Sequence, residues 1–176
     1  MSLESRIREI YNSNNQLILF AEAKNIGLIA FNAVIIFGTL ALLNKIFTGW
    51  LYYLAIYIVV MNLISVVISL TSLTAQRKPR NFTSSQPSAD NLLFFGTAAF
   101  MTPDEYLRQL TERYHLKSEN KLLEHDLARQ VVTVSRIANR KFTRFNTALS
   151  FTLSSIITPV GFLIYYFAFY PNRRRS

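Results

Sequence analysis

Residues 46–76 read IFTGWLYYLAIYIVVMNLISVVISLTSLTAQ, thirty-one consecutive positions without a charged side chain. A helix needs about 20 apolar residues to cross a hydrocarbon core of about 30 Å. A charge at the bilayer centre costs about 2.5–3.5 kcal/mol on the insertion scale, so a window of this length free of charge reads as a membrane span. Two further windows flank it. Residues 26–43 read IGLIAFNAVIIFGTLALL, and residues 145–172 read FNTALSFTLSSIITPVGFLIYYFAFYPN, again uncharged. The pattern predicts an all-α membrane protein with three spans. The first window is not a cleaved signal peptide: it starts late, follows Glu4, Glu9 and Glu22, and ends without a small-residue cleavage site.

The connection between the first two windows is very short. Asn44-Lys45 and Thr48-Gly49 supply its polar and turn-forming residues, so a two-span antiparallel hairpin is expected. Trp50, Tyr52 and Tyr53 open the second span, where aromatic rings favour the headgroup level. Residues 1–24 are more polar, with Ile7, Ile10, Tyr11, Asn14, Leu17, Ile18 and Ala21 on one helical face; this helix should run straight into the first span. The expected division is thus 1–76 for the N-terminal helix and hairpin, with spans at about 26–44 and 50–73. A small, mainly helical domain follows at 77–144, then a third span and basic tail at 145–176.

The middle segment starts with Arg77-Lys78-Pro79-Arg80 and a Ser-, Pro- and Asn-rich stretch to Asp90, a basic membrane edge followed by irregular chain. Asn91-Leu92-Leu93-Phe94-Phe95-Gly96 reads as a strand or a loop tucked under a helix. Thr102-Pro103-Asp104-Glu105 has the residues of a helix start, with Thr102 as cap, Pro103 in the first position and Glu105 completing a capping box. Ser118 is placed to cap a longer helix. Its stripe of Leu123, Leu127, Val131, Val134, Ala138, Phe142 and Phe145 continues in phase into the third span, so one long helix is expected to enter the membrane.

Twelve Lys and Arg lie between Thr74 and Arg144, against Lys45 alone in the hairpin connection. By the positive-inside rule the middle segment and the N-terminus face the cytoplasm. Arg173, Arg174 and Arg175 then fall outside if the third window crosses fully.

The net charge of +9 fits attraction to anionic lipid or an anionic ligand. No glycine-rich phosphate loop and no nucleophile elbow is present, and the absence of cysteine excludes disulfides and thiolate metal sites. His125-Asp126 has the dipeptide of metal-dependent phosphohydrolases, but only His115 remains as a further histidine. The reading is therefore a non-enzyme without metal or cofactor. Arg136, Arg140 and Arg144 lie four apart on one helical face, flanked by Arg129, Asn139 and Lys141; arginine is the residue that forks onto phosphate. In the third span, Thr147, Ser150, Ser154, Thr158 and Gly161 share a face suited to tight helix packing or a wet pathway. Asn32 and Asn62 are expected to bond between helices.

Asn91-Leu92-Leu93-Phe94-Phe95-Gly96, then Glu105-Tyr106, then Ser135-Arg136-Ile137-Ala138-Asn139-Arg140-Lys141-Phe142, resemble the transmembrane-type effectors of Pycsar antiphage systems (PycTM). Lys24 followed by Asn32, and the order of hairpin, cytoplasmic domain and last span, are similar to that family too. The resemblance implies a multi-pass protein of the bacterial inner membrane. It implies activation by a cyclic pyrimidine nucleotide (cUMP or cCMP) from an adjacent cyclase, then loss of membrane integrity and abortive infection. Lipid and further copies of the chain are the other expected partners, and nucleic acid is not. A cyclic nucleotide requires arginine for its phosphate, a ring for its base and an amide for the base edge. Arg129, Arg136 and Arg140, Phe94, Phe95 and Tyr106, and Asn91 and Asn139 offer these groups. The rival reading is a membrane scaffold or small transporter or channel subunit with no nucleotide ligand; a membrane-tethered hydrolase stands behind it.

Overall fold

The computed structural model describes residues 2–43, 49–74, 91–118 and 120–169. The chain forms α1 (Leu3–Leu42), α2 (Trp50–Leu73), α3 (Phe95–Ala99), α4 (Pro103–Tyr114) and α5 (Lys121–Phe169). Among the described residues the only strand-like pairing is an isolated parallel bridge between Ser2 and Lys117. Helices α1, α2 and α5 are long and apolar enough to cross a membrane. The Lys45–Thr48 connection, residues 77–90 and Arg173–Arg175 lie outside the described residues.

The chain divides into two compact units. The polar unit takes residues 1–23 and 74–143, and the apolar unit takes 24–73 and 144–176. Helices α1 and α5 each contribute to both. The first 23 residues pack with the middle segment because their apolar face supplies part of its core. Leu3, Ile7 and Ile10 are buried against Leu92, Met101, Tyr106, Leu110, Leu127, Val131 and Val132. On the predicted N-terminal face, Ile7, Ile10, Asn14 and Ala21 are buried, while Tyr11, Leu17 and Ile18 are partly so.

Local chemistry sets the helix ends of the polar unit. The Thr102 hydroxyl accepts from the Glu105 N–H at 3.2 Å, Pro103 occupies the first turn, and Asp104 and Glu105 complement the helix dipole. His115 closes α4 in the left-handed conformation, at φ 50°. Ser118 is not the cap of α5. Asn120 is, its side-chain oxygen accepting from the Leu123 N–H at 3.2 Å, while the Ser118 hydroxyl donates to the buried Glu124 at 2.5 Å. Helix α5 passes through Pro159 without ending. Residues 91–96 form neither strand nor plain loop: Asn91 folds a turn, its side chain accepting from the Leu93 N–H and its carbonyl from the Phe94 N–H, and this turn leads into α3.

Candidate functional site

In the polar unit the eight residues singled out from the sequence divide by burial. Asn91, Phe94 and Arg129 are exposed, Phe95, Arg136, Asn139 and Arg140 are half-buried, and Tyr106 is fully buried. Phe94 and Phe95 contact at 4.7 Å between ring centroids, and Phe95 packs in turn on Phe142 at 5.5 Å. Gly96 allows this arrangement, since a Cβ there would meet the Phe94 ring at 2.3 Å. The Asn91–Gly96 run is thereby accounted for almost residue by residue. Asn91 makes the turn, Leu92 enters the core, Phe94 stays at the surface, Phe95 packs at the buried edge, and Gly96 leaves the gap that the Phe94 ring fills.

Arg136 ties α5 to the end of α3 and the residues just after it. Its Nε donates to the Ala99 carbonyl at 2.9 Å and its Nη2 to the Met101 carbonyl at 2.8 Å. Burial, and then the like charge of Arg140, lower its pKa, yet a guanidinium stays protonated at any physiological pH. The two arginines are thus within electrostatic reach of each other, and an anion beside them would relieve their repulsion. Tyr106 sits in the core, its hydroxyl lacking a partner among the described residues. Burial, aided by Tyr114 and opposed in part by Arg6, raises its pKa well beyond the usual range, so it remains neutral.

A cleft of about 540 Å³ also opens in the polar unit, between Leu3, Leu107, Arg108, Lys121 and His125. Sequence reasoning missed it, because its walls come from three separate segments. Asp104, Glu112 and Glu124 line it as well, and His125 Nε2 lies 3.1 Å from Asp104. Three carboxylates set against two permanent cations make it a poorer match for a phosphate monoanion than the Arg136–Arg140 region.

The apolar unit is inverted relative to a soluble bundle. Val34, Phe37, Val67 and Phe167 face outward, and the most buried side chains are mostly polar, with Ala55 and Ala148 among them. Asn25, Asn32, Asn62, Ser65, Ser69, Ser72, Thr152 and Ser155 are each at most 2% exposed. Asparagine amides donate to serine hydroxyls across helices: Asn25 to Ser72 at 3.3 Å, Asn32 to Ser65 at 2.8 Å, and Asn62 to Ser155 at 2.8 Å. Thr152 donates to Asn32 Oδ1 at 2.9 Å, and Ser65 donates to the Ala148 carbonyl at 2.8 Å. Such bonds stand in for the hydrophobic force that lipid cannot provide, at about 0.6 kcal/mol each on average. The expectation for Asn32 and Asn62 is met. The third-span face foreseen as the packed one is displaced by one position. Thr147, Ser150, Thr158 and Gly161 are exposed, and α5 turns Ala148, Thr152 and Ser155 inward. Ser154 and Thr158 instead meet the Tyr57 hydroxyl, at 2.7 and 3.4 Å. At one edge of this unit Lys24 lies over the Phe145 ring, and Arg144 donates to the Thr71 carbonyl.

Residues 6–168 match the Pycsar effector protein domain (PycTM). No curated protein and no solved structure matches significantly.

Proposed function

Because the chain belongs to the Pycsar effector family, we propose that it is a nucleotide-triggered membrane effector of antiphage defence. A cyclic pyrimidine nucleotide, cUMP or cCMP, is made by an adjacent cyclase on infection. It binds the polar unit on the cytoplasmic side, and the three-helix unit, assembled as a homo-oligomer, then makes the inner membrane leak. The observation that carries this reading is the inverted apolar unit. A lipid anchor needs no polar interior, whereas an element that must let solutes through does.

The messenger's phosphate is taken by Arg140 and Arg136 with Arg129 alongside, its base lies on Phe94, and Asn91 and Asn139 meet the base edge. Phe95 and Tyr106 position that face from behind. A charge-assisted phosphate contact contributes about 1.5–3 kcal/mol, so its loss lowers affinity about ten-fold to more than a hundred-fold. Isothermal titration of the detergent-purified chain with cUMP, cCMP, cAMP and cGMP tests this. Arg140→Ala and Phe94→Ala should weaken pyrimidine nucleotide binding, and Arg108→Ala in the acidic cleft should not. Loss confined to Arg108→Ala moves the site to the cleft. Failure of the wild-type chain to bind any of the four removes nucleotide sensing and favours a scaffold or small transporter subunit.

A further inference from the structure

The polar residues of α2's inner face recur without a gap. Asn62, Ser65, Ser69 and Ser72 each fall three or four positions after the last. Ten residues separate the first from the last, about 15 Å along a helix, or half of the roughly 30 Å hydrocarbon core.

The hydrogen bonding is also incomplete. Ser69 is fully buried, and its hydroxyl has no partner among the described residues. Asn62 spends both amide protons, on Ser155 and on the Ile58 carbonyl, while its Oδ1 accepts nothing from the described residues. Pro159 has no N–H to offer the Ser155 carbonyl one turn earlier. Asn62 Oδ1 is an unmet acceptor and the Ser69 hydroxyl an unmet donor and acceptor; water meets both, and a cation meets the oxygens. Ser65 adds a further degree of freedom. It carries one proton and lies within reach of two acceptors, the Ala148 carbonyl and Thr152 Oγ1 at 2.9 Å, so the bonding can rearrange without a net loss.

We propose that the interior of α1, α2 and α5 is a wettable path for water and small monovalent cations, shut in this state by its own amide–hydroxyl pairs. This rests on the reading of the chain as a leak-forming effector and specifies the residues that would meet the solute. Opening exchanges each rung's cross-helix bond for a bond to water, and the surplus of oxygen acceptors favours cations over anions.

The chain contains no cysteine, so single cysteines report water access without background. The test uses the full-length protein in liposomes with cUMP or cCMP, a potassium gradient, and a small charged methanethiosulfonate reagent. Ser69→Cys should be modified at least about ten-fold faster with nucleotide than without, the smallest gain when a minor open state becomes dominant. Leu63→Cys and Leu70→Cys, on the outward side of the same helix, should stay unreactive. Ser69→Ala, which removes no existing bond, should fold normally and lower the nucleotide-dependent potassium flux several-fold. Unreactive Ser69→Cys in liposomes that do leak overturns the path and leaves the effector reading intact. Equal reaction at Leu70→Cys overturns it too, since the lesion is then general disorder. Absence of any nucleotide-dependent leak defeats the effector reading, and the path with it.

Discussion

Asn14 donates from its side-chain amide to the hydroxyl of Ser135 at 2.9 Å, both residues fully buried in the polar unit. This is the same Asn-to-Ser device that the apolar unit uses three times. Here the pair is buried away from water, and a buried group left unsatisfied costs about 1–3 kcal/mol.

Asn14→Leu should therefore lower the stability of the polar unit by about 1–3 kcal/mol, while Asn14→Leu combined with Ser135→Ala should recover part of it. Thermal melting in detergent, followed by circular dichroism, reads both. Equal melting for the single and double variants would show that the two side chains do not act as a pair.

Gly96→Ala should have an effect that depends on Phe94. The added methyl displaces the Phe94 ring, and that ring is half-exposed and can swing outward, so the cost should fall at or below the low end of the about 1–3 kcal/mol typical of overpacking a closed core. If Phe94 carries the nucleotide base, Gly96→Ala should weaken binding nearly as much as Phe94→Ala does. Adding it to Phe94→Ala should do nothing more. A further loss in the double variant would mean that Gly96 acts on something other than that ring.

Ala138→Pro falls inside α5 at a fully buried position. Proline removes one backbone bond and clashes with the preceding turn, at about 3 kcal/mol or more. The variant should still insert, because the three apolar windows are unchanged, yet fail to kill cells carrying the cognate cyclase during infection. Killing at the wild-type level would take α5 out of signal transmission.

A reporter fused after Ser176 should read as periplasmic, and one inserted between Ser84 and Ser88 as cytoplasmic, from the distribution of Lys and Arg. A cytoplasmic reading after Ser176 would mean that the third window enters without crossing, and would account for Arg173–Arg175.

The three long helices were legible because absence of charge over some 20 residues is a signal that survives any detail of packing. The Thr102 cap was legible for a similar reason: donor and acceptor are three residues apart. What escaped depends on distant partners. Hydroxyl residues occupy two adjacent faces of the third span, and a shift of one residue, about 100° around a helix, separates Thr147, Ser150 and Ser154 from Ala148, Thr152 and Ser155. Only the asparagines of α1 and α2 choose between them. Arg136 shows a second kind of limit. Nothing within Ser135–Phe142 tells that its fork also reaches the Ala99 and Met101 carbonyls. The Ser118 cap failed because Asn120 competes two residues later, while the buried Glu124 holds the serine hydroxyl.

Among the described residues, the buried polar groups of the apolar unit are amides and hydroxyls alone, with Lys24 and Arg144 held to its edge. Moving one elementary charge through 100 mV releases about 2.3 kcal/mol, which is how voltage sensors are driven. Asn25, Asn32, Asn62 and the serines and threonine that face them carry no such gating charge. Swings of membrane potential therefore do no work on the rungs, and under the proposed function the trigger is left to the ligand rather than to the cell's energetic state.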